Sequence, residues 1–281
     1  MRRLSLLPLY AVLSFFALLT LLPFLWMAAS AVKNREDFFT SLFLPSGHGW
    51  LGVAWDRLTG ENFVRLFTEF PLARALLNSF FLSSVTSSLA TLACAMGGYA
   101  LARFSFPGRG FVLGLVLGAL IIPAALLIAP GYQLLYELSL LNSYAGLILP
   151  ALAPAFGVFL FRQAMLNTVP RELLECARLD GAGEFRIFFT IVIPLVRPMT
   201  GAFLLITFLG AWNNFIGPQI VLQEPESFPL SVTINNLRGI YSTEYGLIMS
   251  GTLVSIAPVM CLFLLLQKEF ISGLTSGAVK G

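Results

Sequence analysis

The chain has 281 residues, 57% of them hydrophobic and only 11% charged, with a mean hydropathy of +0.85. Ordinary globular chains carry about 25% charged residues, so this is the composition of an integral membrane protein. The net charge of +3, from 17 basic and 14 acidic side chains, is too small to name an anionic partner, and 26 Phe and 24 Gly argue against a disordered or nucleic-acid-binding chain. His48 is the sole histidine, which excludes a multi-histidine metal site, and Cys94, Cys176 and Cys261 have neither CxxC nor metal-ligand spacing.

Six charge-free runs divide the chain: Leu4–Val32, Ala75–Ala102, Gly110–Tyr136, Leu138–Phe161, Pro198–Gln223 and Tyr245–Gln267. Each exceeds the roughly 20 apolar residues that cross a bilayer as a helix, so six transmembrane helices are predicted. The first run, with Arg2-Arg3 before it and Ala29-Ser30-Ala31 at its end, also has the look of a secretory signal. Signal cores run about 7–15 residues, and this far longer run containing Pro8 and Pro23 is better read as a retained helix.

Basic residues of short loops stay on the cytoplasmic side. With the N-terminus inside, the inner loops and ends hold 11 basic and 5 acidic residues, and the outer ones 6 and 9. Both termini are therefore expected in the cytoplasm. The chain reads as a single transmembrane domain over residues 1–281, with external loops at 33–74 and 224–244 and one sizeable cytoplasmic loop at 162–197. Loop 33–74 has room for short surface helices.

No acid or base lies in the core of any run, which disfavours a proton-coupled carrier, since such carriers need a group that binds and releases the ion. An ion-coupled carrier built on backbone carbonyls stays open. A membrane-embedded enzyme lacks an evident catalytic set. There is no GxxxxGK[ST] loop, so the chain has no nucleotide site of its own, and uphill transport would draw its energy from another subunit. The second run is rich in Ser and Thr, which more often glue helices than line a path. Tyr132, Asn213 and Asn214, with the neighbouring Trp212, offer sugar-binding chemistry. In a continuous helix the last three would point about 100° apart.

The stretch from Pro170 to Pro194 reads as helix, turn, helix. Pro170 opens the first helix, Glu172 complements its dipole, Asp180-Gly181 breaks it, and a second helix runs from about Gly183 to just before Pro194. Arg171 and Glu175 share one face, and Leu173, Cys176 and Ala177 make a small apolar one. Such a unit suits docking into a partner's groove, although a solvated connector would read the same way.

Glu175-Cys176-Ala177, three residues, Gly181, nine residues, Ile191, one residue and Ile193-Pro194 resemble the EAA signature of ABC importer permeases, with Cys176 and Ile193 as small apolar departures. Asn142-Ser-Tyr-Ala-Gly-Leu, Phe159-Leu-Phe-Arg-Gln, Ala211-Trp-Asn-Asn-Phe and the ending from Gly273 are similar to the carbohydrate-uptake branch, and the likeness spans essentially the whole chain. The resemblance implies an all-α type I permease that is not itself an enzyme. It implies a heterodimer with a second permease, two ATP-binding subunits that hold ATP and Mg, an extracytoplasmic sugar-binding protein and surrounding membrane lipid, with no cofactor bound by this chain. It assigns ATPase docking to Glu172, Glu175, Cys176, Ala177, Asp180, Gly181, Ala182 and Pro194. Ser276, Gly277, Lys280 and Gly281 are the implied tail contact with the ATPases. A glycerol-phosphate importer is the alternative within the class, but such a cargo would need cations, and no run supplies them.

Overall fold

The computed structural model describes residues 6–238 and 244–276, and every regular element among them is helical. Three single helices are long and apolar enough to cross a membrane: Pro8–Ala31, Leu72–Arg103 and Tyr245–Leu265. Three further pairs qualify only as bent spans: Arg109–Ala119 with Ala124–Glu137 at 101°, Tyr144–Ala151 with Ala155–Thr168 at 40°, and Glu184–Leu195 with Arg197–Trp212 at 84°. Six spans result when each bent pair counts as one.

Breaks inside the runs correct three expectations. The run Gly110–Tyr136 is two helices, because Pro123, which has no N–H to donate, stands in extended conformation where the second begins. The run Pro198–Gln223 also divides: its helix stops at Trp212, and a separate short helix covers Ile216–Val221. Pro150 and Pro154 flank the break in the fourth run.

The chain forms two compact units, one of Met1–Leu76 with Val232–Ala257 and one of Leu77–Ser231 with Pro258–Gly281. In the first unit, Leu7–Ala31 carries apolar residues all round, and most of them are exposed, as a lipid-facing helix requires. Its end is closed by side chains. Asn62 Nδ2 donates to the carbonyls of Ala31 and Lys33 at 2.9 Å each, and Ser250 Oγ donates to Ala31 at 3.2 Å. These bonds occupy carbonyls that a helix terminus leaves without partners. Lys33 is buried, its Nζ donating to the carbonyls of Ser41 (2.7 Å) and Leu42 (3.2 Å) just past the short helix Asp37–Thr40. Buried Asp37 pairs with Arg57, and Arg65 bridges Glu69 (2.9 Å) and Glu244 (2.6 Å).

In the second unit one core joins the C-terminal half of Leu72–Arg103, through Cys94 and Tyr99, to Phe161 and Met165 of Ala155–Thr168 and to Phe203 of Arg197–Trp212. The backbones approach closely at two glycines. A Cβ on Gly98 would lie 2.6 Å from Phe161 Cβ, and one on Gly157 would lie 2.4 Å from Phe203 Cζ and 2.6 Å from Cys94 Sγ. Small residues at helix crossings are how membrane helices gain van der Waals contact. Most of the Ser/Thr set of the second run plays this packing part: Ser79, Ser83, Ser87 and Thr91 are buried, and Ser79 Oγ accepts from the Leu230 N–H at 2.7 Å.

Candidate functional site

The segment 162–197 is part of that core rather than a solvated connector. Leu174, Ile187, Phe188 and Val192 are buried in it beside Phe161 and Tyr99. At about 1.5–3 kcal/mol for each fully buried side chain of this size, the packing fixes the segment against the spans.

The first helix, Arg171–Leu179, follows Pro170 and holds Glu172 in its first turn. Its end is a Schellman motif: Gly181 N–H bonds to the Arg178 carbonyl and Ala182 N–H to the Ala177 carbonyl, both at 3.0 Å. Gly181 has φ +81°, the left-handed conformation that such a cap needs and that glycine adopts without a Cβ penalty. Asp180 is the residue at the helix end, its N–H bonded to the Cys176 carbonyl at 3.0 Å.

The second helix differs from expectation. It does not stop before Pro194 but continues through it to Leu195, by way of a π-helical turn at Phe188–Val192. A helix interior rejects proline because the ring collides with the carbonyl four residues back and the N–H is lost. The wider turn shifts the hydrogen-bond register just ahead of Pro194, which then enters at the start of a new short helical segment.

Glu172, Glu175, Cys176, Asp180 and Gly181 are exposed, as is Pro194, while Ala177 and Ala182 are half-buried against the core. The free Cys176 thiol is exposed. Leu179 and Phe185 stand 87% and 70% exposed, with Leu173 and Phe189 also open. The outer surface of the loop is therefore an apolar patch edged by carboxylates. Glu175 makes no ion pair among the described residues.

Four residues that the sequence reading passed over hold this loop in place. Glu184 accepts from the Tyr99 hydroxyl at 2.9 Å and pairs with Arg178 at 2.6 Å, across the Gly181 turn. Arg103 donates to the Met165 carbonyl at 2.7 Å and to the Val169 carbonyl, capping the end of Ala155–Thr168. The six-residue Arg178–Glu184 spacing over a glycine turn was a visible signal; the Tyr99 and Arg103 contacts are long-range and left none.

A second feature is a cavity of about 610 Å³ lined by Tyr132, Asn214 and mostly apolar residues such as Ile128, Leu147, Pro150 and Ile220. Asn213 is not on its wall; it closes the helix end, its Nδ2 donating to the Leu209 carbonyl at 3.0 Å. Trp212 is buried and stacks on Phe208 at 5.7 Å. Trp212 and Asn213 diverge by rotation along the helix, since the Asn213 N–H still bonds to the Leu209 carbonyl at 3.0 Å, while Asn214 is turned away past the helix end. Asn214 Oδ1 accepts from the Gly217 N–H at 3.2 Å, starting the next helix, and its carbonyl accepts from Ser231 Oγ at 2.8 Å. Asn214 also borders a neighbouring cavity of about 240 Å³ with Thr86 and Thr207. Of the tail residues, Ser276 ends the helix Tyr245–Ser276, and Gly277, Lys280 and Gly281 lie outside the described residues. No cluster of metal-ligating side chains occurs among the described residues.

The chain is similar to the arabinooligosaccharide transport system permease AraQ of Halalkalibacterium halodurans, 37% identical over 95% of this chain and 94% of that protein. It is 32% identical to the lactose transport system permease LacG of Rhizobium radiobacter, over 99% of this chain and 98% of the relative. Its fold matches a chain in the crystal structure of a bacterial ABC transporter that imports alginate, with a TM-score of 0.81 at 20% identity, covering 95% of this chain and 97% of that one. Residues 90–270 match the family described as binding-protein-dependent transport system inner membrane component. With helices, bent spans and the loop signature in agreement, the chain belongs to that family, as a multi-pass inner-membrane permease of ABC importers.

Proposed function

We propose that the chain passes a neutral sugar or oligosaccharide inward, driven by ATP and Mg at two partner ATPases that dock on the loop around Glu175. In this reading both termini and the docking loop are cytoplasmic. Residues 224–244 face a sugar-binding protein, a second permease completes the pathway, and the tail from Ser276 to Gly281 meets the ATPases. Closure of the ATPase pair moves the docked loop, and the loop moves the spans, so that access alternates between the two sides. Glu172, Glu175, Cys176, Asp180 and Gly181 make the contact surface, while Ala177, Ala182 and Pro194 shape it.

The observation that carries the choice of cargo is the cavity holding Tyr132 and Asn214. Its wall offers a phenol, an amide and apolar surface, with no Lys or Arg to meet a phosphate. The cargo in the names of the two relatives, arabinooligosaccharides and lactose, agrees with that chemistry. A glycerol phosphate would need cations from the other permease.

The test is uptake by the reconstituted complex of labelled neutral oligosaccharides against glycerol phosphate. Saturable, ATP-dependent uptake of the former and none of the latter is expected, and the reverse result overturns the reading. Asn214→Ala should slow transport by a similar factor for every accepted sugar, because its side-chain oxygen is already committed to Gly217. A change of preference among sugars would place the cargo directly against this residue.

A further inference from the structure

The inner end of Leu72–Arg103, the start of Arg109–Ala119 and the docking helix enclose a separate cavity of about 240 Å³. Four arginines line it, Arg103, Arg109, Arg171 and Arg178, together with Ser105 and Glu175. Arg178 is neutralised by Glu184. Arg103 spends one nitrogen on the Met165 and Val169 carbonyls, while its buried Nε has no acceptor. Among the described residues neither Arg109 nor Arg171 belongs to an ion pair. Three guanidinium charges thus share a small cavity with one lining carboxylate, Glu175, while Glu172 lies within electrostatic reach of Arg103. Like charges held together at the edge of a low-dielectric medium repel strongly unless an anion sits between them. Guanidinium groups suit phosphate because they donate two parallel bonds to its oxygens.

We infer that this cavity binds the phosphodiester headgroup of an anionic membrane lipid, beside the surface on which the ATPases dock. The depth argues for lipid over a soluble anion. Arg103 ends one candidate span and Arg109 begins another, so both stand at the membrane–water boundary. The chain reverses between them through Gly108, at φ +82°. Just beyond Arg109 the helix leaves Phe111 and Leu115 exposed, 72% and 58%, as an apolar track for acyl chains running from the headgroup into the bilayer. Basic cavities at helix ends on the cytoplasmic side hold anionic headgroups in this manner. The inference rests on the cytoplasmic placement of the loop under the proposed function.

The test uses the complete transporter in nanodiscs of phosphatidylcholine alone or with phosphatidylglycerol, read by native mass spectrometry and by ATP hydrolysis. Wild type should retain phosphatidylglycerol through delipidation and hydrolyse ATP faster in its presence. The double substitution Arg109→Gln with Arg171→Gln should weaken retention about thirtyfold, the factor expected for two cations at an anionic leaflet. Arg109→Lys with Arg171→Lys, which keeps the charge and loses the paired donors, should fall between, and it serves if the Gln variant fails to assemble. Equal retention in wild type and the Gln or Lys variants overturns the site. Inorganic phosphate that replaces phosphatidylglycerol in the phosphatidylcholine discs would mean a free-anion site and overturn the lipid assignment. Loss of ATPase subunits from the Gln variant in both lipids, with the Lys variant intact, would make the cavity a protein contact and also overturn it. Labelling of exposed Cys176 by an impermeant thiol reagent in sealed vesicles separates the two readings, since reaction from outside refutes the orientation whatever the lipid result.

Discussion

The link between Tyr99 and Glu184 offers the sharpest test of how the loop 162–197 is held to the spans. Tyr99 is 4% exposed and donates its hydroxyl to Glu184 at 2.9 Å, while Glu184, 40% exposed, also takes Arg178 at 2.6 Å. A bond to an ionised acceptor contributes about 1.5–3 kcal/mol, and a solvent-exposed ion pair about 0.2–1 kcal/mol. Tyr99→Phe removes the donor from a carboxylate that water can still reach, so its cost should sit near 1.5 kcal/mol. Glu184→Ala strips the acceptor from a buried hydroxyl as well as the partner from Arg178, and should cost about 2–3 kcal/mol. Glu184→Gln keeps an acceptor without the charge and should lose about half as much. The double-mutant cycle of Tyr99→Phe with Glu184→Ala should return a coupling of about 1–1.5 kcal/mol.

The measurement is the unfolding midpoint of the purified permease during detergent titration, paired with substrate-stimulated ATP hydrolysis in the complete transporter. If the loop transmits force through this link, each variant should lower stimulated hydrolysis more than basal hydrolysis, in the order Gln, Phe, Ala. A coupling energy indistinguishable from zero, or a Glu184→Ala transporter with normal stimulation, would refute the reasoning. The loop would then be held by its buried Leu174, Ile187 and Phe188 alone.

Glu175→Ala should leave the permease in the membrane but weaken ATPase recruitment, and Glu175→Lys should be worse; an ion pair that docking buries would cost about 3–5 kcal/mol to break, and normal stimulated hydrolysis in the Lys variant would count against docking through this residue. Gly157→Ala should destabilise by about 1–3 kcal/mol, because the new methyl meets Phe203 and Cys94, and Phe203→Leu should recover part of the loss in thermal unfolding; an unchanged midpoint would mean the helices can separate there. Burial holds the Lys33 ammonium below the usual lysine pKa of 10.5, with nearby Asp37 opposing the shift. Between the lowered value and 10.5 the unfolded chain carries more protons than the folded one, so stability should rise with pH in that window. Lys33→Met should abolish that rise, and should lower stability at neutral pH because the Ser41 and Leu42 carbonyls lose their donor. Parallel pH profiles for wild type and variant would show that Lys33 does not set the slope.

The sequence was most legible where a local rule acts alone. Charge-free length marked the first, second and sixth spans, because a helix in lipid must satisfy its own backbone and leaves little choice of structure. The Gly181 turn was legible for a related reason: a left-handed cap after Asp180 admits glycine and almost nothing else. The bends were not drawn, although Pro123, Pro150, Pro154 and Pro194 stood in plain view. Proline in a membrane helix can kink it, break it or be absorbed by a π turn, and the neighbours it packs against decide which. Glu184 and Tyr99 lie 85 residues apart, and nothing short of the folded core brings them together.

The missed break after Trp212 matters most for transport. A continuous helix over Pro198–Gln223 would have separated Asn213 and Asn214 by rotation alone. Instead the helix ends, Asn213 folds back onto Leu209, and Asn214 starts the next helix with its oxygen on Gly217. The bend in the third run carries Tyr132 to the same cavity wall. Both broken runs therefore converge on one cavity, and broken helices inside a membrane are tolerated only where they are buried in protein or line a water-filled space. The absence of acids and bases from the spans, which first argued against an ion-coupled carrier, then has a positive counterpart. The polar side chains on this cavity wall are a phenol and an amide whose oxygen Gly217 already holds, a set that binds hydroxyl groups loosely enough to release them on the other side.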